Sequence, residues 1–225
     1  MIEVTRKNST FYIDDTYHKE WWTTRYPTWE RENSAFMDEY CCLNKVTLDI
    51  GSWNGAHALY MAGLSKKVYA LEPDPKAFTI LEQNIKCNPN ITNIESVNKA
   101  LTNYEGKIKI MSVGGSNSSI LPIQHEKYAK SPLVDVDCLT FSRFLSSTNL
   151  SIHDIGFIKM DIEGAEGICI PDMEYFLKEF SGAFCLSIHS GFISKEETQC
   201  ILSIMKTYFT KVTAEGWLSR TWRTI

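Results

Sequence analysis

VTLDIGSWNG, residues 46–55, decides the fold. Val46–Ile50 reads as a buried strand, and Gly51 to Gly55 as a glycine-bearing turn that runs into the helix-patterned segment 56–64. A strand that turns on glycines and opens a helix lets backbone N–H groups approach a ligand at the helix N-terminus. Working outward, Lys67–Leu71 is the next strand, punctuated by Pro73 and Pro75, and 76–87 sets apolar residues at 77, 78, 81 and 85 on one helix face. Runs at 93–97, 107–111 and 134–137 read as strands, with a mobile or ligand-facing polar loop at 112–119 and a helix starting over 140–145. Ile155–Met160 and 183–188 are buried strands, 173–180 and Lys195–Tyr208 helices, and β-prone pieces near 209–213 and 217–222 form a terminal antiparallel pair. Strand and helix patterns alternate, which predicts an α/β fold: a mostly parallel, twisted sheet with helices on both faces. Residues 1–45 crowd Trp21, Trp22, Tyr26 and Trp29 into one stretch and read as an aromatic-rich N-terminal cap on a main domain at 46–225.

The 225 residues suffice for one main core. With 23 Lys and Arg scattered against 27 Asp and Glu, the formal charge of −4 argues against a nucleic-acid partner. Seven cysteines, an odd number without a C-x-x-C, read as reduced thiols, several inside apolar runs. The opening MIEVTRKNSTFYIDD lacks an apolar signal core and no uninterrupted apolar span of membrane length occurs, so a soluble, cytoplasmic protein without membrane insertion is expected.

The first loop gains meaning from Glu72, about 20 residues on at the next strand's end, where a carboxylate can accept hydrogen bonds from ribose hydroxyls. Its G-x-x-x-G spacing lacks the G-x-G-x-x-G that seats a pyrophosphate, so a cofactor without phosphate fits better than a nicotinamide dinucleotide. S-adenosylmethionine is such a cofactor, and Asp49 could favour its amino acid part through charge and hydrogen bonding. The simpler reading is a tight turn with a solvated Glu72. FIKMDIEGAE, residues 157–166, carries the second signal, a strand that delivers Asp161 and Glu163 together at its carboxyl end. In open α/β sheets that end faces the ligand crevice, so the acid tip should meet the Asp49 loop. Lys159 alternates with Asp161 and would lower that acid's proton affinity from the same face, though an acidic loop with a structural ion pair would read identically.

DIGSWNG, EPDPKAFTILEQNI, NKALTNYEGKIKI, IKMDIEGAE and the distal SIHS together resemble the FkbM family of methyltransferases from about residue 46 to 190. The resemblance implies a class I fold that binds S-adenosylmethionine and methylates a hydroxyl, often on a sugar or polyketide. It implies cofactor contacts from Asp49, Gly51, Ser52, Trp53, Gly55, Glu72, Pro73, Ala100, Asp161 and Glu163. The sequence departs from the family where Gly51-Ser52-Trp53 replaces Gly-Ala-Asn, where Cys138-Leu139-Thr140 replaces Thr-Leu-Asp, and where Ser187-Ile188-His189 replaces Glu-x-His.

Methyl transfer from a sulfonium is an in-line displacement governed mainly by positioning. His189 is the first candidate for general base and Asp161 the second, with Lys159 beside them, although His189 would read the same as a strand-end cap. Asp161, Glu163 and His189 could instead hold a divalent metal. The tryptophan-rich stretch is either a packed cap or a lid on which a sugar ring stacks. His18, His57, His125 and His153 show no partner spacing and are expected in structural or surface roles. The acceptor is a small molecule or glycan with a free hydroxyl. A nicotinamide enzyme, an amino-group methyltransferase acting on nucleic acid and a non-catalytic binding protein of the same fold are the rivals.

Overall fold

The computed structural model describes residues 1–7, 9–115, 118–119 and 131–209, with the backbone of two further strands at 211–214 and 219–223. The chain opens with strands β1 (Ile2–Arg6) and β2 (Ser9–Ile13), paired antiparallel. A π-turn at Trp21–Arg25 and a 3-10 turn at Tyr26–Thr28 lead into helix α1 (Arg31–Tyr40). Then follow β3 (Val46–Ile50), α2 (Ala56–Ala62), β4 (Lys67–Leu71), α3 (Pro75–Lys86) and β5 (Ile94–Val97). Next come β6 (Ala100–Leu101), β7 (Gly106–Met111), β8 (Leu133–Leu139), α4 (Phe141–Thr148) and β9 (Ile155–Met160). The chain continues through α5 (Glu166–Leu177), β10 (Ala183–Ser187), α6 (Lys195–Tyr208), β11 (Lys211–Ala214) and β12 (Ser219–Arg223).

One sheet runs in the order β11-β12-β10-β9-β3-β4-β5. Its five strands from β10 to β5 are parallel, and β12 and β11 close one edge antiparallel, as the C-terminal β-prone pieces predict. The first central strand, β3, lies between β4 and β9, so the strand order reverses there and the carboxyl ends of β3 and β9 flank a crevice. All five residues of β3 are buried, which is why the run is unbroken rather than alternating. Leu48, Ile158 and Phe184 face a core shared with α4, α5 and α6, while Phe157, Val68 and Cys185 face one shared with α1, α2 and α3. Each such side chain contributes about 1.5–3 kcal/mol by leaving water.

Three expectations change. The runs at 107–111 and 134–137 form, with β6, a separate three-stranded sheet. Its alternating polar residues, such as the exposed pairs Lys107–Asp137 and Lys109–Asp135, mark a half-solvated sheet that a buried parallel strand would not tolerate. Helix α5 begins seven residues before position 173, because Glu166 satisfies the N–H groups of Ile162 and Gly164 at its start and Pro171 falls in its second turn. Helix α4 extends to Thr148, with Thr140 accepting Arg143 N–H at 3.1 Å as its N-cap. That cap is a job Asp does equally well, so the Thr140 departure leaves the helix start intact.

Candidate active site

At the switch point, Gly51 N and Ser52 N both donate to Leu71 O, at 2.9 and 3.0 Å, and Asp161 N donates to Ile50 O at 3.0 Å. The loop after β3 is therefore tied to the ends of both neighbouring strands. Gly51 has φ +84°, and a Cβ there would sit 1.9 Å from the Asp161 carbonyl oxygen. Only glycine permits this approach. Behind the loop, Asp49 is fully buried and Lys159 nearly so, 3.3 Å apart, with Lys159 Nζ donating to Gly51 O at 2.7 Å. Burial works against the Lys159 ammonium, but Asp49, Asp161 and Glu30 outweigh it and hold its pKa up. Burial likewise raises Asp49 against the pull of Lys159. Asp49 and Lys159 thus support the loop from beneath instead of lining the crevice; Ser52, whose hydroxyl donates to Asp49 O at 2.7 Å, and Gly55 do the same.

The crevice, whose space of about 570 Å³ includes part open to solvent, is walled by Gly51, Trp53, Glu72, Pro73, Ala100, Asp161 and Glu163. These are seven of the residues expected from sequence, brought together from four chain segments. Glu72 Oε2 accepts Trp53 N–H at 2.8 Å and Oε1 accepts Asp74 N–H at 2.9 Å, and burial still pushes its carboxyl up to about 7. Two residues on, Asp74 anchors the 112–119 loop, whose Gly115, Ser118 and Ser119 also wall the crevice. It accepts Lys76 N–H as the N-cap of α3, Gly114 N–H, and the hydroxyls of Ser112 and Ser118. Ser119 donates to Glu163 O at 2.6 Å, so the described part of the 112–119 loop bridges β4's end to the acid tip; residues 116–117 lie outside the described residues.

At that tip His189 faces three carboxylates. Its Nδ1 is 2.9 Å from Glu166, and its Nε2 lies 3.3 Å from Asp161 and 3.6 Å from Glu163. Burial disfavours the imidazolium, but the Glu166 hydrogen bond and the charges of Asp161, Glu166 and Glu163 prevail and push the pKa up to about 9. An imidazolium has no lone pair to offer. In this geometry the three acids favour the imidazolium and so work against His189 as a free base at neutral pH. Glu163 is pushed up to about 7 by burial, then by Asp161 and Glu166, and its backbone is left-handed at φ 52°. Single ligand atoms of Asp161, Glu163 and His189 lie within 4.8 Å of one another, a spacing that suits a cation.

The tryptophan-rich stretch divides in two. Trp22 and Tyr26 are buried core, packed with Phe11 and Leu59, as a plain cap requires. Trp21 and Trp29 are half-buried and reach Trp53 on the crevice wall, with ring centroids 4.8 and 6.4 Å away. The Trp53 ring, anomalous for the family's first loop, thus belongs to this aromatic wall; its backbone is left-handed at φ 49°. His57 is buried, stacks on Trp29 at 4.8 Å and points Nε2 to Glu30 at 3.3 Å. His153 is exposed, and His125 lies outside the described residues.

Sequence reading missed Glu166, Asp74 and Glu30. Glu166 stands in the quoted IEGAE, and its signal was the cap it offers to two backbone N–H groups; Asp74 announced itself as Asp before Pro75 at a helix start. Glu30 carried no local signal.

Among solved structures, a methyltransferase FkbM from Methylobacillus flagellatus KT is 16% identical with a TM-score of 0.50, covering 81% of this chain and 44% of its own length. This chain therefore spans less than half of that protein. An rRNA methylase from Streptococcus thermophilus is 14% identical with a TM-score of 0.51, covering 86% and 95%. A Streptococcus mutans protein solved with S-adenosylhomocysteine is 12% identical with a TM-score of 0.54, covering 86% and 96%. At these identities the likeness establishes a shared Rossmann-like methyltransferase fold. No curated protein matches the sequence. The sequence does match the methyltransferase FkbM domain over residues 49–208, and with most of its length and the whole crevice inside that match, the chain belongs to the FkbM methyltransferase family.

Proposed function

We propose that this chain is an S-adenosylmethionine-dependent O-methyltransferase whose acceptor is a hydroxyl of a sugar or glycan, with a polyketide or lipid-linked hydroxyl as the reserve. The observation that carries it is the convergence of Gly51, Glu72 and the Asp161–Glu163 tip on one crevice at the switch point. The cavity suits an adenosyl group with a cationic sulfonium. Gly51 leaves backbone space, Glu72 keeps acceptor lone pairs for ribose hydroxyls, Pro73 and Ala100 add apolar wall, and the acid tip favours positive charge. When bound, S-adenosylmethionine supplies an electrophilic methyl group. The protein's share is to hold the acceptor oxygen in line, exclude water and take up a proton. The formal charge of −4 and scattered basic residues favour a small-molecule or glycan acceptor over nucleic acid. Seven free cysteines suit a cytoplasmic location, and among the described residues no helix is long and apolar enough to cross a membrane.

Calorimetry tests the donor. S-adenosylhomocysteine should bind and NAD should not; the reverse result rejects the reading. A screen with labelled methyl donor against glycans and nucleotide sugars tests the acceptor, and tight donor binding without turnover on any hydroxyl would favour a non-catalytic binder. A second reading, that the tip holds a divalent cation, is favoured by Glu166, which turns His189 Nε2 toward Asp161 and Glu163 as a carboxylate orients a metal-ligating histidine. Undiminished activity after exhaustive chelation would exclude an essential metal.

A further inference from the structure

Glu30 lies at the start of α1 in a left-handed backbone, φ 45° and ψ 55°, yet its side chain does not cap that helix. Arg6, itself buried, fixes it there, donating to the carbonyls of Tyr26, Trp29 and Glu30. A cation spent on three backbone carbonyls locks the turn that presents Trp29 and Glu30. The carboxylate instead points inward, accepting Asn33 Nδ2 at 2.7 Å and lying 3.3 Å from His57 Nε2. Three buried ring nitrogens lack a hydrogen-bond partner of proper geometry: His57 Nε2, beside Glu30, and Trp53 Nε1 and His18 Nδ1, whose rings pack on each other. His18 packs on Trp53 at 5.0 Å, and Trp53 in turn lines the crevice.

Unpartnered N–H groups and ring nitrogens beside half-buried aromatic faces are what a polyhydroxylated ring would satisfy: stacking for its C–H face, hydrogen bonds for its hydroxyls. Left-handed backbone places strain at Trp53 and Glu163 on the crevice wall, and at His18, which packs on Trp53, and Glu30, which follows Trp29. We propose that His18, Trp21, Trp29, Trp53 and Glu30 form the acceptor subsite for a carbohydrate ring, and that Glu30 is the catalytic residue that takes the hydroxyl proton. This rests on the donor assignment made above. The acceptor oxygen forms its bond to the methyl carbon as the sulfur–methyl bond breaks, the bonding pair staying on sulfur to leave a thioether. The hydroxyl proton passes to a Glu30 oxygen and from there to water. Four charged or titratable groups face that carboxylate: Asp161 and Lys159 from β9 and its end, Arg6 from β1 and His57 from α2. Burial and then Asp161 hold Glu30 up to about 7 against Lys159, Asn33 and Arg6, while burial and the two cations hold His57 neutral. Such a carboxylate is matched to receiving a proton near neutral pH.

The test uses the full chain, S-adenosylhomocysteine, and the methyl α-glycosides of glucose, mannose, galactose and rhamnose as acceptor probes. With S-adenosylhomocysteine saturating, at least one glycoside should shift tryptophan emission, and Trp29→Leu or Trp21→Leu should weaken it about tenfold while donor-product affinity stays within about twofold. With that glycoside as acceptor, Glu30→Gln should lower kcat by about 100-fold with KM changed less than about threefold, and Glu30→Asp should restore part of the rate. If no glycoside perturbs a chain that binds S-adenosylhomocysteine, or if folded Trp29→Leu and Glu30→Gln proteins keep wild-type binding and kcat, the subsite is overturned. A wild type that fails to bind S-adenosylhomocysteine overturns the donor assignment instead.

Discussion

On the β3–β4 bank of the crevice, the polar groups are tied to backbone: Glu72 to the N–H groups of Trp53 and Asp74, Gly51 and Ser52 to Leu71 O. On the β9 bank, charges meet charges from distant parts of the chain, with His189 among Asp161, Glu163 and Glu166, and Lys159 between Asp49 and the tip. The first bank is held by hydrogen bonds to the backbone, and suits a constant donor. The second is assembled only on folding, stores its energy as coupled ion pairs, and suits the chemistry that varies with substrate and protonation.

The comparison can be broken most forcefully beneath the β9 bank. Lys159→Met leaves Asp49 buried without a cation and should cost about 3–5 kcal/mol in urea unfolding, with Asp49→Asn in the same chain restoring much of it. If the single variant is as stable as wild type, the ion pair does not hold the junction. On the other bank, Gly51→Ala drives a Cβ into the Asp161 carbonyl and should cost roughly 3 kcal/mol while weakening S-adenosylhomocysteine by about 100-fold in calorimetry.

The pH response sharpens the contrast. His189 has its pKa raised on folding, from an ordinary 6.5 to about 9, so its contribution is complete below pH 6.5 and is lost as pH rises through 9. The loss amounts to roughly 2–3 kcal/mol, read as a falling unfolding midpoint across that window, and His189→Asn should flatten it. Glu166→Gln should lower the His189 titration seen by NMR, because it removes one of the charges that raise it and leaves only a neutral acceptor for the Nδ1 hydrogen bond. An unmoved titration would show that Asp161 and Glu163 suffice. Smallest of all, Asp74→Asn exchanges a charge-assisted acceptor of two hydroxyls and two N–H groups for a weaker one, at about 1–2 kcal/mol in stability, with a several-fold loss of donor-product affinity because Ser118 and Ser119 wall the cavity.

The element types along 46–208 follow from the sequence because they depend on short-range rules: apolar period, glycine at left-handed turns, and Asp or Thr at helix starts. VTLDIGSWNG and FIKMDIEGAE also declared which residues stand at strand ends, and the switch-point rule then set them facing each other. Side-chain roles needed the tertiary structure. Lys159 and Asp161 alternate on one strand, yet the lysine points beneath the loop to Asp49 and the acid lines the cavity. Three carboxylates close on His189, and Arg6 and α1 carry Glu30 across to β9, neither of which a local reading shows. A residue's propensity and its place on a strand are local properties of the chain. Its charge state and its partners are set by burial and by neighbours from about twenty to more than a hundred positions away, which only the packed fold brings within a few ångströms.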